Sequence, residues 1–283
     1  MQLLGWVHAI LNIVGLLLWL KWREEMLQSV RRPVGGALLS TLKRAGDAPA
    51  YRWLYLGLLA GLLFLRGIGY WQMGTGVRWT PAIDLGAIVI PFRSDLFLRM
   101  LLFSLCSQLV FMAEFYFCLL LLSAANRKVA DTEPMQNQIR AHLGNIDRWP
   151  GFVKLLLPFV LTASSWMCVS PLLVKLGFLL PSKSVEHTLE QALLLGLASF
   201  LVWKYLIAGL LLLHLITSYV FLGNSAFWTF VSATGRNLLK PVAWLPLQAG
   251  KVDFTPVVGA ALALSLGELL SLWLPRWYST LPF

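Results

Sequence analysis

The chain has 283 residues, 58% of them hydrophobic and 13% charged, with a formal charge of +10 and a mean hydropathy of +0.71. Soluble domains carry roughly a quarter charged residues, so this composition excludes a water-soluble catalytic domain. It reads the basic excess as membrane topology and contact with anionic lipid rather than with nucleic acid.

Runs of about 18 or more apolar residues predict six membrane helices in an all-α integral membrane fold. The first, residues 3–20, has no basic residue before it but Lys21 and Arg23 after it, with no small-residue cleavage site; it reads as a retained helix rather than a leader. The second covers 53–71. A loop at 72–95 follows, in which alternation between Val77 and Phe92 predicts a small hairpin. The third span covers 96–124. The fourth, 152–180, contains Pro158 and Pro171, which predict a kink. The fifth and sixth cover 192–222 and 257–274. Cys106, Cys118 and Cys168 fall inside these runs. Cys106 and Cys118 would lie about 18 Å apart on one helix, beyond disulfide reach, and no Cys/His spacing points to a metal. Trp22, Tyr51, Trp53, Tyr70, Trp71, Trp149, Trp273, Trp277 and Tyr278 fall at span ends, the place of an interfacial aromatic belt.

Orientation follows from the loops. Lys21, Arg23, Arg31, Arg32, Lys43, Arg44 and Arg52 crowd the first; Arg127, Lys128, Arg140, Arg148 and Lys154 the third; Arg236, Lys240 and Lys251 the fifth. The opposite face has Arg78, Arg93, Lys183 and Arg276. The positive-inside rule therefore places loops one, three and five in the cytoplasm and both termini outside. The organisation is three hairpins, at 1–71, 96–180 and 192–274. Each basic loop should hold a short amphipathic helix lying in the headgroup region, on Val34, Leu38 and Leu42, on Met135, Ile139 and Leu143 behind Thr132, and on Phe227, Val231 and Leu238 behind Asn224 or Ser225.

A short run recurs before two spans. Gly144, Asn145, Ile146, Asp147, Arg148, Trp149 and Pro150 precede the fourth, and Gly250, Lys251, Val252, Asp253, Phe254, Thr255 and Pro256 precede the sixth. Both read G-x-(I/V)-D-x-x-P, with Gly46, Asp47 and Pro49 as a weak echo in the first hairpin. Gly permits a turn with positive φ, Asp can cap free N–H groups, and Pro suits the first helical turn. The run is thus expected to start a helix rather than bind a ligand.

Asn224, Ser225, Ala226 and Phe227, then Leu238, Leu239, Lys240 and Pro241, then Pro246 and the run from Gly250 to Pro256 resemble the YggT family of small bacterial and plastid membrane proteins. The likeness covers the final hairpin, about 90 residues; the middle hairpin shares only Gly144, Asp147 and Pro150. Ser225 stands where the family has proline, and Ala243 and Trp244 stand where it has an arginine pair. The resemblance implies a bacterial inner-membrane protein without catalysis. It also implies roles of the family's kind, linked to bacterial cell-division gene neighbourhoods or, in plastids, to nucleoid distribution and haem attachment.

Ionisable residues inside spans are costly and are functional candidates by default. Counting about 1.5 Å per residue from the basic end puts Glu114 about 15 Å deep, Glu268 about 16 Å, Arg66 about 19 Å and His214 about 12 Å, with Lys204 deeper at about 27 Å. Arg66, Glu114, His214 and Glu268 thus form one expected polar layer, with Glu268 or Glu114 expected to pair with Arg66. Arg99 and Lys175 can snorkel outward. No catalytic, cofactor or metal motif is present in the sequence: His8, His142, His187 and His214 are scattered, and Gly74, Thr75 and Gly76 read as a turn. The expected function is a non-enzymatic assembly or scaffolding factor whose partners are anionic lipid and other membrane proteins. The alternative is a channel or transporter using the polar layer.

Overall fold

The computed structural model describes residues 2–31, 48–77, 79–127, 133–181, 184–223, 225–242, 244, 247–249 and 252–281. The expected helix on Val34, Leu38 and Leu42 lies outside them, as do Gly46, Asp47, Thr132, Asn224, Pro246 and Gly250.

The described chain is mostly helical, and six helices are long and apolar enough to cross a membrane: Leu4–Leu27, Arg52–Gly74, Phe97–Ala125, Gly151–Lys175, Val185–Tyr219 and Thr255–Thr280. In chain order the elements are α1 (Gln2–Arg31), α2 (Ala48–Val77), β1 (Ala82–Asp84), β2 (Val89–Pro91), α3 (Phe97–Ala125), α4 (Pro134–Leu143), α5 (Gly151–Lys175), α6 (Val185–Ala198), α7 (Trp203–Tyr219), α8 (Ala226–Leu239), β3 (Gln248–Ala249), β4 (Val252–Asp253) and α9 (Thr255–Thr280). The short hairpin expected in the loop after α2 is β1 and β2. Its turn is closed by Asp84, whose Oδ1 accepts the Gly86 N–H at 2.8 Å. The fifth span is two α-helices joined through a 3₁₀ turn at Ser199–Val202. Pro158 and Pro171 both lie inside α5, each leaving one helical hydrogen bond unmade.

The chain divides into two compact units. The first comprises Met1–Ile83 and Pro91–Ala113. Here α1 packs along α2, and the ring of Phe103 collects its neighbours: His8 stacked at 5.3 Å, Tyr70 at 5.5 Å and Phe92 at 5.5 Å. Tyr70, expected in the aromatic belt, is instead 2% exposed. Its ring packs in this cluster and its hydroxyl is used by polar side chains.

The second unit comprises Asp84–Ile90 and Glu114–Phe283. In it α5 packs along α6, α7 packs against both α8 and α9, and α4 rests on α8. Ala208, Leu211, Leu239 and Ala260 form a core where α7, α8 and α9 meet. The face that α8 buries is Phe230, Val231, Thr234, Gly235 and Leu239, whereas Phe227, expected on that face, is exposed. In α4 the expected Ile139 and Leu143 are buried, together with Gln136.

Candidate functional site

On α2, Arg66 and Tyr70 stand four residues apart, and so do His8 and Asn12 on α1; that spacing puts each pair on one helical face. The two faces meet inside the first unit with Ser107 of α3. Arg66 donates from Nε to Tyr70 Oη at 2.8 Å and from Nη1 to Asn12 Oδ1 at 2.7 Å. Its Nη2 reaches Ser107 Oγ at 3.0 Å and His8 Nδ1 at 2.9 Å. A guanidinium has no lone pair to offer, so Nδ1 of His8 is the acceptor. The imidazole proton then sits on Nε2, which faces Ser107 Oγ at 2.9 Å. Arg66 is 4% exposed, and every one of these partners is neutral. A buried cation is costly unless its donors are used; here dipoles from three helices use them.

Depth along the helices set Glu268 or Glu114 against Arg66. The structure gives Arg66 and Glu268 other partners. Glu268 Oε1 accepts from Lys204 Nζ at 2.8 Å, and Oε2 from Ser271 Oγ at 3.1 Å. The stem of Lys204 lies across Gly267, where an added Cβ would meet its Cδ at 2.5 Å; the missing side chain is what lets the lysine reach along α9. Lys204 is 11% exposed but Glu268 58%, so the pair opens onto the outside of the α7–α9 contact at the middle of α9.

The other members of the expected layer are not brought to that pair. His214 is buried and packs on Gly235 of α8, where an added Cβ would meet its Cβ at 2.4 Å. Glu114 is half-buried and makes no hydrogen bond or ion pair among the described residues.

The repeated run has two different uses. Gly144 ends α4 at φ +58, as the turn requires, and a 3₁₀ turn at Gly144–Arg148 follows. Asp147 does not cap α5, which starts behind Pro150 without a side-chain cap. Its carboxylate instead faces Arg140 Nε at 3.3 Å, Lys154 Nζ at 3.4 Å and the Ser123 hydroxyl. Lys154, read in the sequence as a loop cation, is 1% exposed and also donates to Ser123 Oγ at 2.7 Å, tying α5 to α3. Asp253 does act at a helix entry. Its Oδ1 accepts the N–H of Thr255 at 2.9 Å and the Thr255 hydroxyl, and Pro256 occupies the first turn. Hydrogen bonds from the Thr255 side chain first, and from its N–H second, hold the Asp253 carboxyl below its ordinary range. Its own N–H is taken by Tyr219 Oη at 2.6 Å.

His8, Asn12, Ser107 and Tyr70 were not among the expected site residues, because their role comes from polar side chains of three helices meeting. The signal was present as polar residues inside apolar runs at four-residue spacing. Among the described residues no cluster of three or more His, Cys, Asp or Glu could hold a metal ion. No protein-family model matches the chain, and neither curated proteins nor solved structures provide a match.

Proposed function

We propose that this is a non-catalytic membrane protein that holds partner proteins together, an assembly or scaffolding factor of the YggT type. The observation that carries the reading is the Lys204–Glu268 pair, which opens outward near the middle of the fifth and sixth apolar spans. Hydrocarbon cannot hydrate an ion pair, and charged groups at that depth turn toward protein or water. Polar side chains of a second membrane protein would satisfy it. The pair lies in the hairpin whose flanking residues, Asn224 to Pro256, carry the YggT likeness. Arg66 and Lys154 are each enclosed by their own chain, so neither offers a hydrated route for a solute. The protein is read as residing in the bacterial inner membrane with both termini outside and with α4 and α8 at the cytoplasmic headgroup region.

The test places a photo-reactive residue at Leu269, 53% exposed, or at Leu109, 55% exposed, and irradiates native membranes. An adduct of defined mass is expected from Leu269, and it should be lost when Glu268→Gln is added. Failure to recover any reproducible adduct from Leu269, or equal labelling from both sites, would overturn the reading. A conducting role is the second reading, and it stands on Glu114, which has no partner among the described residues. It requires that Glu114→Gln abolish a proton or ion flux in proteoliposomes.

A further inference from the structure

We propose that the cavity where α3, α5 and α8 meet binds the phosphate head of an anionic phospholipid. Its volume is about 480 Å³, and it is lined by Ala124, Ala125, Arg127, Gly151, Phe152 and Lys240, with Pro150. Cavities of this size hold small organic ligands.

Its position is set by the membrane helices. The span on α3 ends at Ala125 and the span on α5 begins at Gly151, so the cavity lies where hydrocarbon gives way to headgroups. Its wall is divided to match a lipid. Ala124, Ala125 and Phe152 offer an apolar side to the glycerol backbone and the upper acyl chain, with Phe152 itself 67% exposed. Arg127 and Lys240 offer two cations to the phosphate, and among the described residues no carboxylate lines the cavity. The nearby acid, Asp147, is already engaged by Arg140 and Lys154. The first turn of α5 also opens here, so its positive end adds to the same field.

The Lys240 side of the cavity is tied to α3 through a chain of hydrogen bonds. Lys240 Nζ donates to Asn237 Oδ1 at 2.8 Å. Asn237 Nδ2 donates to Asn126 Oδ1 at 3.0 Å, and Asn126 Nδ2 donates to Thr234 Oγ1 at 2.7 Å. Asn126 and Thr234 are each 0% exposed. This chain, buried at Asn126 and Thr234, fastens the end of α8 to the end of α3, next to Arg127. A phosphodiester is the anion that fits a site with two basic donors on one side and an apolar, membrane-level wall on the other. Free phosphate would leave the apolar wall uncovered, and a neutral lipid would leave the cations unmatched.

The site stands apart from the partner-holding face of α7 and α9, and its test is separate. Purified full-length protein in maltoside detergent is titrated with dioctanoyl phosphatidylglycerol, dioctanoyl phosphatidylcholine and inorganic phosphate, and bound lipid is counted by native mass spectrometry. Phosphatidylglycerol should bind as one molecule, with the other two probes at least about ten-fold weaker. Arg127→Gln and Lys240→Gln should each weaken it about ten-fold or more, the worth of one charge-assisted hydrogen bond. Both side chains are exposed, so an unchanged melting temperature is expected and is checked alongside. Ala125→Phe should fill the cavity and remove binding with no change of charge. Arg148→Gln removes an exposed charge outside the cavity and should leave binding unchanged. The proposal is overturned if Arg148→Gln costs as much as the two cavity variants, if those two leave binding intact, or if phosphatidylcholine or phosphate binds as tightly as phosphatidylglycerol.

Discussion

Arg66 Nη1 donates to Asn12 Oδ1 across 2.7 Å, joining α2 to α1 by a charge-assisted bond at a site that is 4% exposed on the arginine side and 6% on the asparagine side. The fork geometry of the guanidinium decides what replaces it. Arg66→Leu leaves Asn12 Oδ1 with only the long bond from Ser107 Oγ at 3.4 Å, and a buried polar group left short of its partner costs about 1–3 kcal/mol. Arg66→Lys keeps the charge but is a shorter point donor, and should be destabilised nearly as much. Thermal unfolding in detergent checks both; an Arg66→Lys variant as stable as the parent would show that charge alone, not the fork, holds the three helices.

Lys204 and Glu268 should behave as one unit, and Arg66 and Glu268 as two. In a double-mutant cycle, Lys204→Met with Glu268→Gln should be less damaging than the sum of the singles. Arg66→Leu with Glu268→Gln should be additive, because the two residues belong to separate hydrogen-bond networks with no shared partner. Melting temperatures of the five variants decide the matter. Coupling in the second cycle would mean that the two networks communicate.

Asp147 and Asp253 share a sequence run but not a role, so their substitutions should differ. Asp147→Ala leaves Lys154, 1% exposed, without its anion, and breaking a buried pair costs about 3–5 kcal/mol. Asp253→Ala removes a helix-entry acceptor, worth about 0.5–2 kcal/mol. Asp253→Asn keeps an acceptor oxygen and should be close to silent at neutral pH. Acid separates the last variant from the parent. Since Thr255 holds the folded Asp253 carboxyl below its ordinary range, the ionised form stabilises the fold above that range, and the contribution is lost as pH falls through the folded value. A pH series of melting temperatures should show this loss in the parent and not in Asp253→Asn.

Gly235 marks a close approach of α8 to His214 of α7. Gly235→Ala would set a methyl 2.4 Å from His214 Cβ, and such overpacking costs about 1–3 kcal/mol. Gly209→Ala, also helical but with nothing within 4 Å, should gain about 0.5–1 kcal/mol from helix propensity. If Gly235→Ala melted with the parent, α7 and α8 could separate freely.

Single cysteines placed in loops one, three and five, in a cysteine-free background, should be shielded from an impermeant thiol reagent in intact cells. Cysteines at Gly76 or near the C-terminus should label. The reverse pattern would invert the membrane orientation.

Hydropathy determined the six spans, because burial in hydrocarbon demands a long apolar run that is contiguous along the chain. The expected 96–124 and the observed Phe97–Ala125 differ by one residue at each end for that reason. The helix entry at Asp253 was equally legible, since Asp253, Thr255 and Pro256 are near neighbours in sequence. The partners of the charged residues were not. Depth along a helix placed Arg66 and Glu268 at one level, but pairing depends on which faces meet, and that is a property of how helices rotate and pack. Packing gave Arg66 to His8, Asn12, Tyr70 and Ser107, and Glu268 to Lys204 across Gly267. It also turned Lys154 inward to Asp147, a contact through Ser123 that no reading of the local run would reveal.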